Sequence, residues 1–244
     1  MTRKAQPVRP KGRSRAPFYA VIAVIAGVGV FALMRSANQP RRDALELDAV
    51  TLQSIGTDAP SGYLLGDSTA LRVQEFADFE CNACMNFATI TEPDIRQRLV
   101  NEGLISFEYF FFPLDQHPNA VNAAHAAACA DDQGKFWEMH DAIFHGYNDW
   151  ALRANRDPRS DFARYAGNVG MDVREWEACY NEGRHRERIL AHKAYALRLG
   201  VRSTPSFLVQ GRLAEGAPNY DNFKAMVDEA LARAQAENSE LAEQ

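Results

Sequence analysis

From Leu71 to Phe112 the chain reads as strand, helix, strand, and that order fixes the kind of sheet it can build. Leu71-Arg72-Val73-Gln74-Glu75-Phe76-Ala77 alternates in the manner of a half-buried strand. Leu104 to Phe112 is the most apolar and aromatic stretch after residue 60 and predicts a strand buried on both faces. Between them, residues 81–100 place Phe87, Ile90, Ile95 and Leu99 at helical spacing, with Pro93 expected to kink the helix. A parallel pair needs a long crossover, so strand, helix and strand form a βαβ unit. Tyr63-Leu64-Leu65-Gly66-Asp67, just before it, is read as a turn.

After Pro113 the pattern turns helical: residues 119–130, 135–144 and 161–166, then a helix with capping-box spacing over Asp172-Val173-Arg174-Glu175 that Gly183 stops, then 185–199 ended by Gly200. Ser206 to Ala214 reads as strand, glycine turn, strand, an antiparallel pair. Residues 221–236 form a terminal amphipathic helix with Phe223, Met226, Val227 and Leu231 inward, and 238–244 a polar tail. The fold class is α/β, a central mixed sheet flanked by helices, without internal repeats.

The ends of the chain differ from this domain. Arg3, Lys4, Arg9, Lys11, Arg13 and Arg15 stand in the first fifteen residues with no acid, which leaves 21 of the 27 basic residues against all 32 acidic ones downstream, a net charge of −11. A nucleic-acid binder carries its basic residues on the folded part, so DNA and RNA are excluded as partners. Residues 16–34 carry no charge and reach about 28 Å as a helix, enough to cross a bilayer. The basic residues before this run keep the N-terminus, residues 1–15, in the cytoplasm and the large domain outside it, in the periplasm or at the cell exterior. A cleaved signal peptide is the alternative; Leu33-Met34-Arg35-Ser36-Ala37-Asn38 offers no clean cleavage site. Residues 35–60 are a polar tether and 61–237 the folded domain.

All four cysteines lie in the exported part: Cys81, Cys84, Cys129 and Cys179. Cys81 follows the first strand immediately, and Cys84 comes one helical turn later. Disulfide exchange needs a thiolate; free N–H groups and partial positive charge at a helix N-terminus lower a thiol pKa, and a second cysteine resolves the mixed disulfide. Cys81 is the expected attacking thiol and Cys84 the resolving one. A purely structural disulfide is one alternative. Half of a zinc site is another, but no matching second pair stands among the remaining cysteines and the six histidines. No metal or cofactor is expected, and His117, His125, His140, His145, His185 and His192 are taken as surface or packing residues.

Glu75-Phe76-Ala77-Asp78-Phe79-Glu80-Cys81-Asn82-Ala83-Cys84 resembles the signature of the thioredoxin superfamily, in which an acid six residues before the first cysteine is buried beneath the dithiol. The resemblance gives Glu75 that place, where a carboxylate of raised pKa could take the Cys84 proton. It also implies a cis-proline at Pro205 facing the dithiol, with Thr204 before it pairing with substrate backbone. The segment Asn119 to Phe144, with Cys129-Ala130-Asp131-Asp132-Gln133-Gly134-Lys135-Phe136-Trp137 inside it, resembles the helical insertion of DsbA-like oxidoreductases, here about residues 114–199. The likeness spans about residues 62–235.

Cys129 and Cys179 are expected to form a structural bridge within the insertion, the alternative being two separately buried thiols. Asn82-Ala83 departs from the proline, glycine or histidine common between the family's cysteines, which leaves the direction of electron flow open. The resemblance implies a membrane-anchored thiol oxidase that passes disulfides to exported proteins and is reoxidised by a quinone-linked membrane partner. A reductase or isomerase of exported proteins and a non-catalytic binding module remain as alternatives.

Overall fold

The structure, a computed structural model, describes residues 59–153 and 156–242. The charge-free run at 16–34 and most of the tether lie outside the described residues, among which no helix is long and apolar enough to cross a membrane. The elements are β1 (Tyr63–Leu65), β2 (Leu71–Ala77), a helical segment α1 over residues 82–100, β3 (Ile105–Phe111), α2 (Ala120–Asp131), α3 (Phe136–His145), α4 (Tyr147–Trp150), α5 (Arg159–Asn168), α6 (Val173–Glu182), α7 (Arg186–Arg198), β4 (Ser206–Val209), β5 (Arg212–Glu215) and α8 (Tyr220–Ala242). The strands form one mixed sheet in the order β1-β3-β2-β4-β5. β2 and β3 are parallel, as their helical crossover requires, and the remaining pairs are antiparallel.

β3 is buried along its whole length, so neither of its faces meets solvent. Ile105 and Phe107 pack with Val73, Phe207, Phe223 and Val227 under α1 and α8, while Tyr109 and Phe111 meet the helices of the insertion. Phe110 and Phe112 point the other way, toward Phe76 and the α7 residue Ala196. One strand thus anchors every layer of the domain. α8 continues past the expected end at residue 236, with Phe223 and Val227 fully buried and Met226 and Leu231 half-buried.

Two expectations change. Residues 63–65 are a strand rather than a turn: Tyr63, Leu64 and Leu65 pair with Tyr109, Glu108 and Phe107. Gly62 makes that edge possible, since a Cβ there would come within 2.6 Å of the Glu108 side chain and 2.8 Å of the Phe110 ring, while its N–H donates to Glu108 Oε1 at 3.0 Å. The helix after Cys81 is not a plain α-helix with one kink. It alternates α and wider π turns, Asn82–Asn86, Phe87–Thr91, Glu92–Ile95 and Arg96–Val100. Pro93 has no N–H to give the ladder, and bonding shifts by one residue on either side of it. Thr89 Oγ1 donates to the Met85 carbonyl at 2.8 Å in the first of those shifted turns.

In the insertion, Asp172 caps α6 by accepting the N–H groups of Arg174 and Glu175, and Gly183 ends the helix at φ +66°. Cys129 on α2 and Cys179 on α6 are joined by a disulfide that closes 50 residues. Their burial beside Trp176 and the alanines of α2 ties the insertion together. In the chain-entropy account a closure of that length is worth about 4 kcal/mol. Cys129→Ala with Cys179→Ala is therefore expected to lower the unfolding free energy by about 3–4 kcal/mol in urea titrations. A loss below about 1 kcal/mol would show the closure to be energetically idle.

Candidate active site

β2 ends at Ala77, and Asp78-Phe79-Glu80 carries the chain over the sheet edge into the helix. Cys81 stands at the helix N-cap with extended backbone (φ −80°, ψ 121°), and no side chain caps the first turn. The helix N–H groups are free to face the Cys81 sulfur. Its Sγ is 3.4 Å from the Thr204 carbonyl, contributed by the loop before β4. Thr204-Pro205 is a cis peptide bond, and the Pro205 carbonyl accepts the Gly216 N–H at 2.8 Å.

The two thiols differ in solvation. Cys81 is 8% exposed and Cys84 is fully buried, and both are free thiols. A hydrogen bond from the Cys84 thiol lowers the Cys81 pKa to about 6 against the opposing effect of burial, helped by Thr204 and by the Ala83 and Cys84 N–H groups. Cys84 is pushed the other way, first by burial and then by donating to Cys81. One sulfur is poised as an anion at neutral pH and its neighbour as a thiol.

Glu75, on β2, is 1% exposed. Burial raises its carboxyl well above the usual range, the nearby Glu92 adds to this, and Arg96 opposes it. It lies within electrostatic reach of both cysteines. The site thus holds a buried carboxyl within electrostatic reach of the buried thiol.

Three further residues have roles that spacing did not reveal. Asp78 is buried; its Oδ1 accepts the Glu80 N–H at 2.8 Å, and its Oδ2 accepts the Leu114 N–H at 2.8 Å and lies 2.7 Å from His117 Nδ1. That hydrogen bond raises the His117 pKa, opposed by burial and assisted by the Cys81 charge. His117 is not a bland surface residue but an imidazole turned toward the reactive loop. Glu80 fastens the insertion to the site: its Oε2 accepts the Asn119 N–H at 2.5 Å and its Oε1 the Leu152 N–H at 2.6 Å. Tyr147 donates to the Glu80 carbonyl at 2.9 Å. Leu152 is held at φ +58°, a conformation unfavourable for a side chain other than glycine, by its bond to Glu80. The signal was present in the sequence as acids at 75, 78 and 80 in a segment that must be buried between strand and helix.

Of the other histidines, His192 and His140 are fully buried packing residues; His192 Nδ1 accepts the Phe111 N–H at 3.2 Å and its Nε2 faces the Ser61 carbonyl at 3.1 Å. Among the described residues, His125 with Cys129 and Cys179, and Asp132 with Cys179 and His185, converge closely enough to hold a cation. Both sets draw on sulfur that the disulfide has consumed, so the intact bridge supplies no thiolate ligand.

Because the Cys81 pKa lies below that of an unfolded cysteine, about 8.5, the thiolate stabilises the reduced protein; that contribution is complete above the unfolded value and is lost as pH falls through the folded one. Thiolate absorbance of the reduced protein should rise with a midpoint near pH 6, absent in Cys81→Ser. The unfolding free energy of reduced wild type relative to Cys81→Ser should fall as pH drops from about 8.5 to about 6. A midpoint at about 8.5 would contradict the geometry.

The family model described as thioredoxin matches residues 58–229. The Na(+)/H(+) antiporter NhaA 3 of Salinispora tropica is 35% identical over 163 residues, which are 66% of this chain and 23% of the antiporter. The chain therefore spans about a quarter of the length of that relative. A probable disulfide bond formation protein D of Bacillus anthracis is 21% identical over 226 residues, covering 88% of this chain and 93% of its own. Among solved structures, alpha-DsbA1 of Wolbachia pipientis superposes with a TM-score of 0.65 at 22% identity over 74% of this chain and 96% of that one, a likeness of fold.

Proposed function

The chain belongs to the thioredoxin family, and on that premise we propose that it is an extracytoplasmic thiol-disulfide oxidoreductase that introduces disulfides into exported proteins through Cys81 and Cys84. The observation that carries this is the opposed tuning of the two sulfurs, Cys81 held down to about 6 and Cys84 held up beside it. In the oxidised enzyme a substrate thiolate attacks the Cys81 sulfur, and Cys84 leaves and is protonated. A second substrate thiolate then attacks the substrate sulfur of the mixed disulfide and expels Cys81 as its stable thiolate. The substrate gains a disulfide and the enzyme a dithiol.

Glu75 is assigned the Cys84 proton, and Thr204 and Pro205 the substrate backbone. The contact of the Cys81 sulfur with the Thr204 carbonyl at 3.4 Å supports the assignment. The bridge between Cys129 and Cys179 takes no part in exchange, being buried between α2 and α6. Residues 16–34 serve as the membrane anchor and 35–60 as the tether. This arrangement keeps the domain near a quinone-linked membrane oxidoreductase that takes the electrons from the reduced pair.

A reductase built on the same residues would need the disulfide form favoured. Stabilising the Cys81 thiolate favours the dithiol form instead and makes the pair more oxidising. The equilibrium potential of the Cys81–Cys84 pair against glutathione, with Cys129 and Cys179 bridged, is expected above the thioredoxin value of about −270 mV and below the about −120 mV of the strongest oxidants. A potential at or below about −270 mV would turn the assignment to a reductase, and a pair that resists reduction altogether would leave a binding module.

A further inference from the structure

On the sheet face that carries Glu75, buried polar side chains collect with unused atoms. Oε2 of Glu75, Oε2 of Glu92, Nε2 of His140 and the Tyr109 hydroxyl have no hydrogen-bond partner among the described residues. All of these side chains belong to residues at most 1% exposed. Buried polar atoms are normally partnered, and four without a partner in one place call for a role. They are also neighbours. Glu75 and Tyr109 face each other in register on β2 and β3, the His140 ring stands edge-on to Tyr109 at 5.2 Å, and His140 Nε2 is 3.9 Å from Glu92 Oε2.

The cluster has an outlet. His140 Nδ1 is 2.8 Å from Asp141 Oδ1, and the Asp141 side chain is 44% exposed. Arg96 braces this end: its Nε donates to Glu92 Oε1 at 2.8 Å and its Nη atoms to both Asp141 oxygens at 2.9 and 3.0 Å. Phe79, Phe144 and Trp137 wall the imidazole with their rings. The titratable and charged groups around Glu75 are thus Cys81 and Cys84, Glu92 and Arg96 on α1, Tyr109 on β3, Asp78 in the loop, and His140 with Asp141 on α3.

We propose that Glu92 and His140 are positioning residues that, with Glu75, carry the Cys84 proton to and from solvent at Asp141. The inference rests on the dithiol being redox-active. When a substrate thiolate bonds to the Cys81 sulfur, the Cys81–Cys84 bond breaks and its electron pair stays on Cys84; the substrate sulfur is oxidised and Cys84 reduced. Cys84 is fully buried, so the proton it takes comes from the Glu75 carboxyl. Glu75 recovers a proton from the Glu92 and His140 side, and Asp141 draws the replacement from water. Reoxidation runs the same protons outward. Glu75 alone would be a donor with no path for its own recharging, since it too is sealed from solvent.

Two measurements on the full chain test this. In redox-difference infrared spectra of the wild-type protein, oxidising the dithiol should change two carboxyl bands, one missing in Glu75→Gln and one in Glu92→Gln; a change from Glu75 alone overturns the proposal. Asp141→Asn, at the exposed end where folding is least at risk, should slow disulfide exchange about tenfold while leaving the Cys81 titration in place, and added imidazole should restore the rate. An exchange rate equal to wild type, or a deficit that imidazole does not touch, overturns it as well. Failure of the underlying reading looks different: the wild-type protein itself would then exchange no disulfide with thiol substrates.

Discussion

A helix that begins without a side-chain cap leaves its first N–H groups to whatever anion is nearest, and in this chain that anion is the Cys81 sulfur. The rest of the domain can be understood as holding that arrangement fixed. β2 delivers the chain to the helix start, Thr204 closes over the sulfur from the loop before β4, and Cys84 lies one turn behind, where burial keeps its proton on. The difference between the thiols is a difference in solvation and hydrogen bonding created by a few residues. It requires a rigid sheet beneath it, which the all-buried β3 provides.

The helical insertion is bound to the same few residues. Glu80 accepts N–H groups from Asn119 and Leu152, at opposite ends of the sequence between α2 and α4, and Asp78 holds Leu114 and His117. Acids that in sequence look like ordinary loop carboxylates are buried anchors, each with its oxygens filled by backbone donors. Glu75 and Glu92 are the opposite case, buried with an oxygen left over. Full partners make an anchor, and an unused oxygen leaves room for a further hydrogen bond. That contrast separates the structural acids of this site from the two that the proposed proton path uses.

Much of this was legible in the sequence wherever the interaction was local. The alternation of Leu71–Ala77, the apolar run that became β3 and the Asp172 cap each follow from neighbours within a few residues. The placing of Cys81 at the helix start with Cys84 one turn on was read the same way, because strand, cysteine and helix are contiguous. β1 was missed since three residues display no period, and what makes Tyr63–Leu65 a strand is pairing with β3 more than forty residues on. The alternating π turns follow from Pro93 within a helix whose packing on β3 no local rule foretells. His117 and His140 gained their roles only through contacts to Asp78 and Glu92, 39 and 48 positions away, so reading them as surface or packing residues could not be improved by their own surroundings.

The central claim is that this fold makes the two thiols chemically unequal, with Cys81 the reactive one. A brief pulse of iodoacetamide on the fully reduced native protein at neutral pH, followed by peptide mapping, tests it most directly. The account predicts carbamidomethyl label on Cys81 with Cys84 unlabelled until the protein is unfolded. Comparable labelling of both cysteines, or faster labelling of Cys84, would contradict it.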